Sequence, residues 1–253
     1  MISLAGKKAL VVGIANDQSI AYGCAKAFRE LGAELAITYA NEKVAPYVRP
    51  LAEALGATLF LPLEVRDDAQ FGALRDTIAR TWGSLDICLH SVAFCPRDDL
   101  HGRVLDCSRD GFLTAMDISV YSFVRLVHTM EPLLAPGSAC LTVSFYGAEK
   151  VVDHYNVMGP VKSALESVTR YMAAELGAKK ISVNALSPGP LRTRAASGIP
   201  AFDELLERAM ERAPTQELAS IDDVGAYAAF LAGRAGNVTG GVHYIDGGYN
   251  IRG

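Results

Sequence analysis

The sequence predicts an α/β protein built on one doubly wound parallel sheet of about seven strands flanked by helices. Short apolar runs rich in β-branched residues recur along the 253 residues, and longer segments with helical periodicity lie between them. Strands that alternate with helices are joined by right-handed crossovers, so neighbouring strands run parallel. No linker or internal repeat interrupts the alternation. We therefore expect residues 1–253 to form a single domain of the Rossmann type.

Seven runs are predicted to be strands because each is short and apolar. They are residues 9–12, 35–39, 59–61, 87–89, 140–143, 181–186 and 242–245. Continuous apolar runs of this length are typical of strands that are buried on both faces of a parallel sheet. The sheet therefore needs helices on both sides.

The clearest helical periodicity is found in five of the intervening segments, residues 20–31, 69–82, 111–134, 162–176 and 221–231. The segment after the second strand is less regular because it contains Pro46 and Pro50. A proline inside a helix removes a hydrogen bond and clashes with the preceding turn. We expect the helix in that segment to be broken or to start late.

Composition and charge exclude several classes of function. The formal net charge is −4 and the 24 lysines and arginines are scattered, so the chain has no basic stripe for nucleic acid. The five cysteines are widely spaced without a C-x-x-C pair, which predicts free thiols and no metal site. The apolar run 9–15 is too short for a signal peptide or a membrane span. Together these features predict a soluble, cytoplasmic protein.

The most informative spacing joins Tyr155 and Lys162. Seven residues of helix advance about 700°, so both side chains would leave one helix face about 10 Å apart. A nearby cation favours the phenolate, which makes the phenol a better donor to developing negative charge. The pair therefore indicates a reaction that generates an oxyanion, with a solvated helix face as the alternative. Pro160 lies between the two residues, and a helix that starts or kinks there would change this geometry.

The first strand leads into a candidate phosphate-binding loop. In a doubly wound sheet, ligands bind at the carboxyl ends of the strands, where the strand order reverses. Gly13 ends the first strand, and the N–H groups of a helix that begins near Ser19 could bind a pyrophosphate. The G-x-G-x-x-G fingerprint is absent, so a plain strand-to-helix turn is the alternative. No acidic residue follows Tyr39 directly, so this feature does not separate NADH from NADPH.

Several motifs occur in a familiar order along nearly the whole chain. They are the loop 13–23, the segments 90–96, 117–123 and 147–149, the pair Tyr155 and Lys162, the segment 188–199 and the C-terminal 246–249. In this order they resemble the short-chain dehydrogenase/reductase superfamily, and within it the FabI-type enoyl-acyl-carrier-protein reductases. Ordinary members of the superfamily carry Y-x3-K, whereas this chain has Gly159 at that lysine position and the Y-x6-K spacing of the enoyl reductases.

The resemblance implies an enzyme that reduces the carbon–carbon double bond of a trans-2-enoyl thioester in fatty acid synthesis. NADH is the implied cofactor, with NADPH as the alternative. Tyr155 would donate a hydrogen bond to the thioester oxygen, and Lys162 would bind the nicotinamide ribose. The other implied cofactor-binding residues are Gly13, Ser19, Ile20, Glu64, Val65, Ser91, Val92, Leu191 and Thr193. The implied substrate-binding residues are Phe94, Cys95, Leu100, Phe145, Met158, Ala195, Ala196, Ile199 and Phe202.

The resemblance also implies an acyl carrier protein as the carrier of the substrate and a substrate-binding loop and helix near residues 190–215. Members of the group are typically tetramers. The segments 111–134 and 162–176 carry more apolar surface than one sheet face needs, so we expect a homotetramer in which part of it is buried. His90 and Cys95 are predicted to have structural roles.

A few positions depart from the pattern. Phe145 stands where the group commonly carries a second tyrosine, and Tyr146 would face the other way because neighbouring side chains of a strand alternate. Glu64 replaces an aspartate, and Ala40 and Ala93 also differ from the usual residues. Two other functions therefore stay open: a reductase of another unsaturated or ketone substrate, and a catalytically weak nucleotide-binding paralogue.

Overall fold

The computed structural model describes residues 2–193, 202–234 and 237–252. Seven strands form its centre: β1 (Lys8–Val12), β2 (Glu34–Tyr39), β3 (Leu59–Pro62), β4 (Leu85–His90), β5 (Leu134–Val143), β6 (Ser182–Pro188) and β7 (Val242–Ile245). They form one sheet in the order β3-β2-β1-β4-β5-β6-β7, and every neighbouring pair is parallel. The strand order reverses between β1 and β4, which places a ligand crevice at their carboxyl ends.

The helices of the described residues are α1 (Ile20–Glu30), α2 (Ala45–Ala54), α3 (Asp68–Trp82), α4 (Arg97–His101), α5 (Arg109–Met116), α6 (Ser122–Met130), α7 (Met158–Leu176), α8 (Phe202–Arg212) and α9 (Ile221–Arg234). None of them is long and apolar enough to cross a membrane. The predicted fold class, a doubly wound sheet of seven strands flanked by helices, is confirmed.

Helices cover both faces of the sheet and create two apolar layers. Helices α3, α6 and α7 pack on one face, where Phe123 and Leu165 are fully buried. Helices α1, α2 and α9 pack on the other, where Phe28 and Val224 are fully buried. Each large apolar side chain removed from water stabilises the fold by about 1.5–3 kcal/mol. This two-sided burial explains why the strands are apolar throughout instead of alternating.

Two helical segments differ from the sequence prediction. Helix α2 is continuous through Pro50 and begins one residue before Pro46, which therefore lies in the first turn, where a missing N–H costs no helical hydrogen bond. The predicted single helix 111–134 is wrong: a π-helical turn, Asp117–Tyr121, separates α5 from α6, and Glu131–Leu133 is a 3₁₀ turn. Within this break, the hydroxyl of Ser122 donates to the carbonyl of Ile118 at 2.6 Å.

Helix α7 begins at Met158, so Tyr155 lies outside it. The prediction that Tyr155 and Lys162 share one helix is therefore wrong. Pro160 is the third residue of α7, where the backbone N–H would have no partner within the helix. The proline therefore costs no helical hydrogen bond, and the position of Tyr155 is set by the chain before Met158.

Helices α1 and α9 approach closely because glycines lie at their crossing. A Cβ atom on Gly225 would stand 2.4 Å from the carbonyl oxygen of Gly23, and one on Gly23 would stand 2.3 Å from that of Ile221. Both obstacles are backbone atoms, so a side chain there would force the helices apart. The crossing fixes α1, whose first turn lies at the ligand crevice.

We predict that Gly225→Ala lowers the free energy of unfolding by about 1–3 kcal/mol, because the added methyl overpacks the crossing. Gly72→Ala in α3 is the matched control, since a Cβ there meets nothing within 4 Å. It should be neutral or stabilising by up to about 1 kcal/mol because alanine is the better helix former. Urea denaturation of both variants measures the difference. Equal stability of the two would contradict the assigned close packing.

Candidate active site

A cavity of about 560 Å³ opens at the carboxyl ends of β4, β5 and β6. Its walls come from the loops that follow these strands and from α4, α7 and α8. Its lining residues are Ile20, Ser91, Val92, Ala93, Phe94, Cys95, Arg97, Leu100, His101, Val143, Ser144, Phe145, Tyr155, Met158, Lys162, Pro188, Gly189, Pro190, Leu191, Thr193, Phe202 and Leu205. The cavity therefore brings Tyr155 and Lys162 together, although only Lys162 lies on α7.

Tyr155 is buried and held by aromatic packing and by an unusual backbone. The ring of Phe145 meets the ring of Tyr155 edge-on, with the centroids 4.8 Å apart. A Cβ on Gly147 would stand 2.4 Å from Cδ1 of Tyr155, so the ring uses the space that this glycine leaves. The residues on both sides, His154 and Asn156, have positive φ angles of 63° and 47°. Such angles are rare outside glycine and are often found at functional sites.

The left-handed backbone at Asn156 is tied to the opposite wall of the cavity. Its side-chain amide donates to the carbonyl of Leu100 at 2.8 Å. This bond joins the turn before α7 to the end of α4, which carries Leu100 into the cavity. The turn that aims Tyr155 is thereby fixed from outside its own segment.

Lys162 is also buried, with 5% of its surface exposed. Its ammonium donates to the carbonyl of Val143, the last residue of β5, at 2.7 Å. Burial lowers the pKa of Lys162 to about 8, while the negative charge of Glu166 acts in the opposite direction. Burial, with Glu166 as the second cause, raises the pKa of the Tyr155 phenol above its ordinary value. Tyr155 is therefore a protonated donor at neutral pH. The lowered pKa of Lys162 lies only slightly above neutral pH.

Two further residues of the site, Ser144 and Glu166, belong to none of the predicted site residues. The hydroxyl of Ser144 donates to Oε1 of Glu166 at 2.6 Å, and Ser144 lines the cavity. Burial raises the pKa of Glu166, while the Ser144 hydrogen bond and the charges of Arg170 and Lys162 lower it. The spacing of Glu166, four residues after Lys162 on a predicted helix, was a signal that could have indicated it.

The start of α1 fits a phosphate group. The N-cap residue Ser19 makes no side-chain hydrogen bond to the first turn of α1, and that turn carries no acidic residue. The Ser19 hydroxyl instead accepts from the backbone N–H groups of Ala15 and Asn16, each at 3.0 Å, and so shapes the loop. Helix starts of this kind bind anions through N–H groups and the helix dipole. Ile20, the first residue of α1, lines the cavity, so the pyrophosphate of a dinucleotide fits here.

The other predicted cofactor-binding residues divide into two groups. Ser91, Val92, Leu191 and Thr193 line the cavity together with Ile20. Gly13, Ser19, Glu64 and Val65 do not. Gly13 has a different reason to be glycine, because its φ is 118° and a Cβ would stand 2.1 Å from the carbonyl oxygen of Ser91. That close approach of β1 to the loop after β4 brings the two sides of the crevice together.

The predicted substrate-binding residues that are described all line the cavity: Phe94, Cys95, Leu100, Phe145, Met158 and Phe202. Ala195, Ala196 and Ile199 lie outside the described residues. Burial, followed by the charge of Asp99, raises the pKa of the Cys95 thiol to about 11, which agrees with a packing role. The described residues contain no group of side chains that could hold a metal ion.

His90 ends β4 beneath the cavity, and its two ring nitrogens are both paired. Nδ1 lies 3.2 Å from the hydroxyl of Thr142, and Nε2 lies 2.8 Å from that of Ser122. Because Ser122 donates its own proton to Ile118, it accepts from Nε2–H, and Nδ1 accepts from Thr142. Burial, with the charge of Lys162 as the second cause, lowers the pKa of His90 to about 3. The pairing of both ring nitrogens supports the predicted structural role of this histidine.

The fold and the cavity are those of the Rossmann-type oxidoreductase class, with a helix start that fits a phosphate beside a buried tyrosine and lysine. Comparison with known proteins is more specific. The model of the family described as enoyl-(acyl carrier protein) reductase matches residues 13–250. The chain belongs to this family, as its motifs predict.

Individual relatives match over almost their whole lengths. The chain is 44% identical to "Enoyl-[acyl-carrier-protein] reductase [NADH] 1" of Rhizobium meliloti over 98% of this chain and 92% of the relative. A crystal structure of the Anaplasma phagocytophilum reductase in complex with NAD has a TM-score of 0.95 at 44% identity, covering 100% of this chain and 97% of that one. The Bacillus cereus reductase, solved with NADP⁺ and an indole naphthyridinone, has a TM-score of 0.97 at 40% identity, and both chains are covered completely.

We predict that the neutral, buried His90 makes the fold sensitive to acid. Its pKa is lower in the folded chain than the ordinary value of 6.5, so its contribution is complete above about 6.5 and is lost as the pH falls towards about 3. The loss should reach about 1.4 kcal/mol per pH unit. His90→Gln should be less stable at neutral pH and should show a shallower decline on acidification, measured by urea denaturation at several pH values.

His128 on α6 provides the control because it is exposed, so His128→Gln makes the same substitution at a position that is not buried. It should keep the pH dependence of the parent. If His90→Gln declines as steeply as the parent, the acid sensitivity belongs to other groups.

Proposed function

We propose that the chain reduces the carbon–carbon double bond of a trans-2-enoyl thioester with NADH, in fatty acid synthesis, while the substrate is attached to an acyl carrier protein. The names of the relatives support the substrate class and the cofactor. The observation that carries the proposal is the pair of buried side chains, Tyr155 and Lys162, in one cavity beside an anion-binding helix start. NADPH is the alternative cofactor, since the Bacillus cereus relative was solved with NADP⁺.

Tyr155 is the proposed hydrogen-bond donor to the substrate. Bound NADH supplies a hydride to the β-carbon of the enoyl group, and negative charge then develops on the thioester oxygen. A phenol whose pKa is raised by burial stays protonated, so it can donate to that oxygen. A donor to charge that is present mainly in the transition state lowers the activation free energy of the step by about 3 kcal/mol.

Lys162 is the proposed link between Tyr155 and the cofactor. An ammonium group has three N–H donors, and the carbonyl of Val143 takes one of them. The remaining donors suit the hydroxyls of the nicotinamide ribose. The fixed bond to Val143 holds the positive charge near the phenol, where it favours negative charge in the transition state.

The apolar lining forms the proposed acyl site. Phe94, Met158 and Phe202 border the same cavity as Tyr155, so an acyl chain can lie against them while its thioester reaches the phenol. Pro190, Leu191 and Leu205 extend this wall, which supports a substrate-binding segment near residues 190–215. Ala195, Ala196 and Ile199 are proposed to belong to the same segment. All five cysteines are free, which supports a cytoplasmic location.

The test is an assay of the purified chain with NADH or NADPH and a series of enoyl thioesters, beginning with the crotonyl thioester. The loss of nicotinamide absorbance measures turnover. We expect turnover with enoyl thioesters and faster turnover with NADH. Turnover with ketones alone would support a different short-chain reductase. Nucleotide binding without any turnover would support a weak paralogue.

In the same assay we predict that Tyr155→Phe lowers kcat at least about tenfold, because the oxyanion loses its donor. The affinity for NADH, measured by fluorescence, should stay near that of the parent. Tyr146→Phe is the matched control: Tyr146 is equally buried, and its hydroxyl has no hydrogen-bond partner in the described part of the chain. It should keep the parent rate. If Tyr155→Phe keeps the parent rate, the proposed role of Tyr155 as the donor is wrong.

A homotetramer is also proposed. Leu113 of α5, Tyr121 of the π-helical turn and Tyr171 of α7 are exposed, at 51%, 55% and 72% of their surfaces. Exposed apolar residues on neighbouring helices are typical of surfaces that associate. These helices carry the excess apolar surface from which the sequence predicts association.

We therefore expect sedimentation velocity at micromolar concentration to give a species of four chains. Leu113→Glu combined with Tyr121→Glu should shift it to smaller species, because charges are then buried at the contact. Tyr47→Glu is the control, since Tyr47 is 69% exposed but lies on α2, on the other side of the sheet. A parent chain that sediments as a monomer would contradict the proposed assembly.

A further inference from the structure

Glu166 lies near the proposed catalytic pair and is not among the residues that the sequence motifs predict for the site. It lies one turn after Lys162 on α7, so both side chains project from the same side of the helix. Ser144, the residue after β5, donates to Oε1 of Glu166 at 2.6 Å. The preceding residue, Val143, accepts from Lys162 at 2.7 Å. Two consecutive residues at the end of one strand therefore hold the lysine and the carboxylate.

We propose that Glu166, fixed by Ser144, is a positioning residue that keeps Lys162 a cation and Tyr155 a neutral donor during turnover. The inference rests on the proposed function of this site. Ser144 is 3% exposed and borders the cavity, so the hydrogen bond to Glu166 lies at the wall of the reaction site. A hydrogen bond to a carboxylate in such surroundings is stronger than a neutral one and restricts where the charge lies.

The two proposed catalytic groups need different charge states: the phenol of Tyr155 has to stay neutral and the ammonium of Lys162 has to stay charged. Burial favours the neutral forms of both, which suits the phenol of Tyr155 but not the ammonium of Lys162. A negative charge nearby stabilises the ammonium, which is the group that burial penalises. It also disfavours the phenolate, so Tyr155 stays protonated. The pKa values follow this expectation: Glu166 is a cause that raises the pKa of Tyr155 and of Lys162.

Groups on several elements face Glu166 and decide whether it carries its charge. From α7, Lys162 and Arg170 favour the carboxylate, and from the end of β5 the Ser144 hydroxyl does the same. Glu149, in the loop after β5, opposes it. Glu149 is itself held by the hydroxyl of Tyr244 on β7, which donates to it at 2.6 Å. Burial also opposes the charge, so the Ser144 hydrogen bond is the contact that compensates for it most directly.

The experiment measures the pH profile of kcat/KM for the parent and for Glu166→Gln. Glutamine has the same shape and can still accept from Ser144, so the substitution removes the charge alone. We expect the alkaline limb of the profile, where Lys162 loses its proton, to shift to a pH lower by about one unit. The rate should then fall about tenfold at the alkaline end and stay close to the parent value near pH 6. Glu166→Asp, which keeps the charge, should recover most of the profile.

Glu175→Gln is the matched control because Glu175 is an exposed carboxylate on the same helix. It should reproduce the parent profile. A uniform loss of rate in Glu166→Gln, with the limb unmoved, would show a merely structural role and overturn the inference. If Glu166→Gln does not fold, Ser144→Ala decides: it should move the limb in the same direction by a smaller amount, and an unmoved limb overturns the inference. A parent chain without turnover would instead overturn the proposed function.

Discussion

The hydrogen bond from Lys162 to the carbonyl of Val143 is the interaction on which the site depends. It joins α7 to the end of β5, and β5 lies between β4 and β6 in the sheet. The parallel register sets His90 beside Thr142 and Val143 beside Leu186. The end of each strand is thereby fixed relative to its neighbours. A lysine anchored to this edge has its position defined by the whole sheet.

The cost of this arrangement is electrostatic. An ammonium group buried at a sheet edge loses much of its hydration, which is why the pKa of Lys162 falls to about 8. The fold limits the number of charges beneath the cavity: His90 is neutral there and exchanges hydrogen bonds with two hydroxyls. The negative charge of Glu166, four residues further along α7, acts against this lowering. The buried lysine is thus accompanied by a neutral imidazole and by a carboxylate that a serine holds.

The sequence predicted the parts that follow local rules. Each of the seven strands was recognisable from a short apolar run, because burial on both faces requires one. The order of strands and helices then predicted the sheet and the edge at which the site lies. The spacing of Tyr155 and Lys162 predicted that both border one site, and both line the cavity, but the predicted geometric reason was wrong. Asn156, which has a positive φ angle, is held by a hydrogen bond to Leu100, 56 residues away, and no local pattern contains this contact.

The partnership of Ser144 with Glu166 was hidden for the same reason. Their separation of 22 residues is closed only when the sheet register and the α7 crossover are both in place. The π-helical turn between α5 and α6 was hidden too, since its residues retain helical periodicity and its hydrogen bonds reach out to other segments. Ser119, in this turn, donates to the carbonyl of Phe94 at the cavity wall. Long-range contacts of this kind decide the detail of the site, while local propensity decides its location.

The position of Phe145 explains why the proposed chemistry depends on the phenol of Tyr155. Its ring packs edge-on against Tyr155 and orients it, but it has no hydroxyl to donate. Its neighbour Tyr146 does not replace that hydroxyl, because its ring packs against Tyr249 with centroids 5.5 Å apart and does not line the cavity. The alternation of side chains predicted this difference. Because Tyr155 is the one phenol among the described residues of the wall, the proposed stabilisation of the oxyanion depends on how firmly that phenol is held and on the field around it. The aromatic contact, the glycine at 147, the left-handed turn and the buried lysine all act on those two quantities.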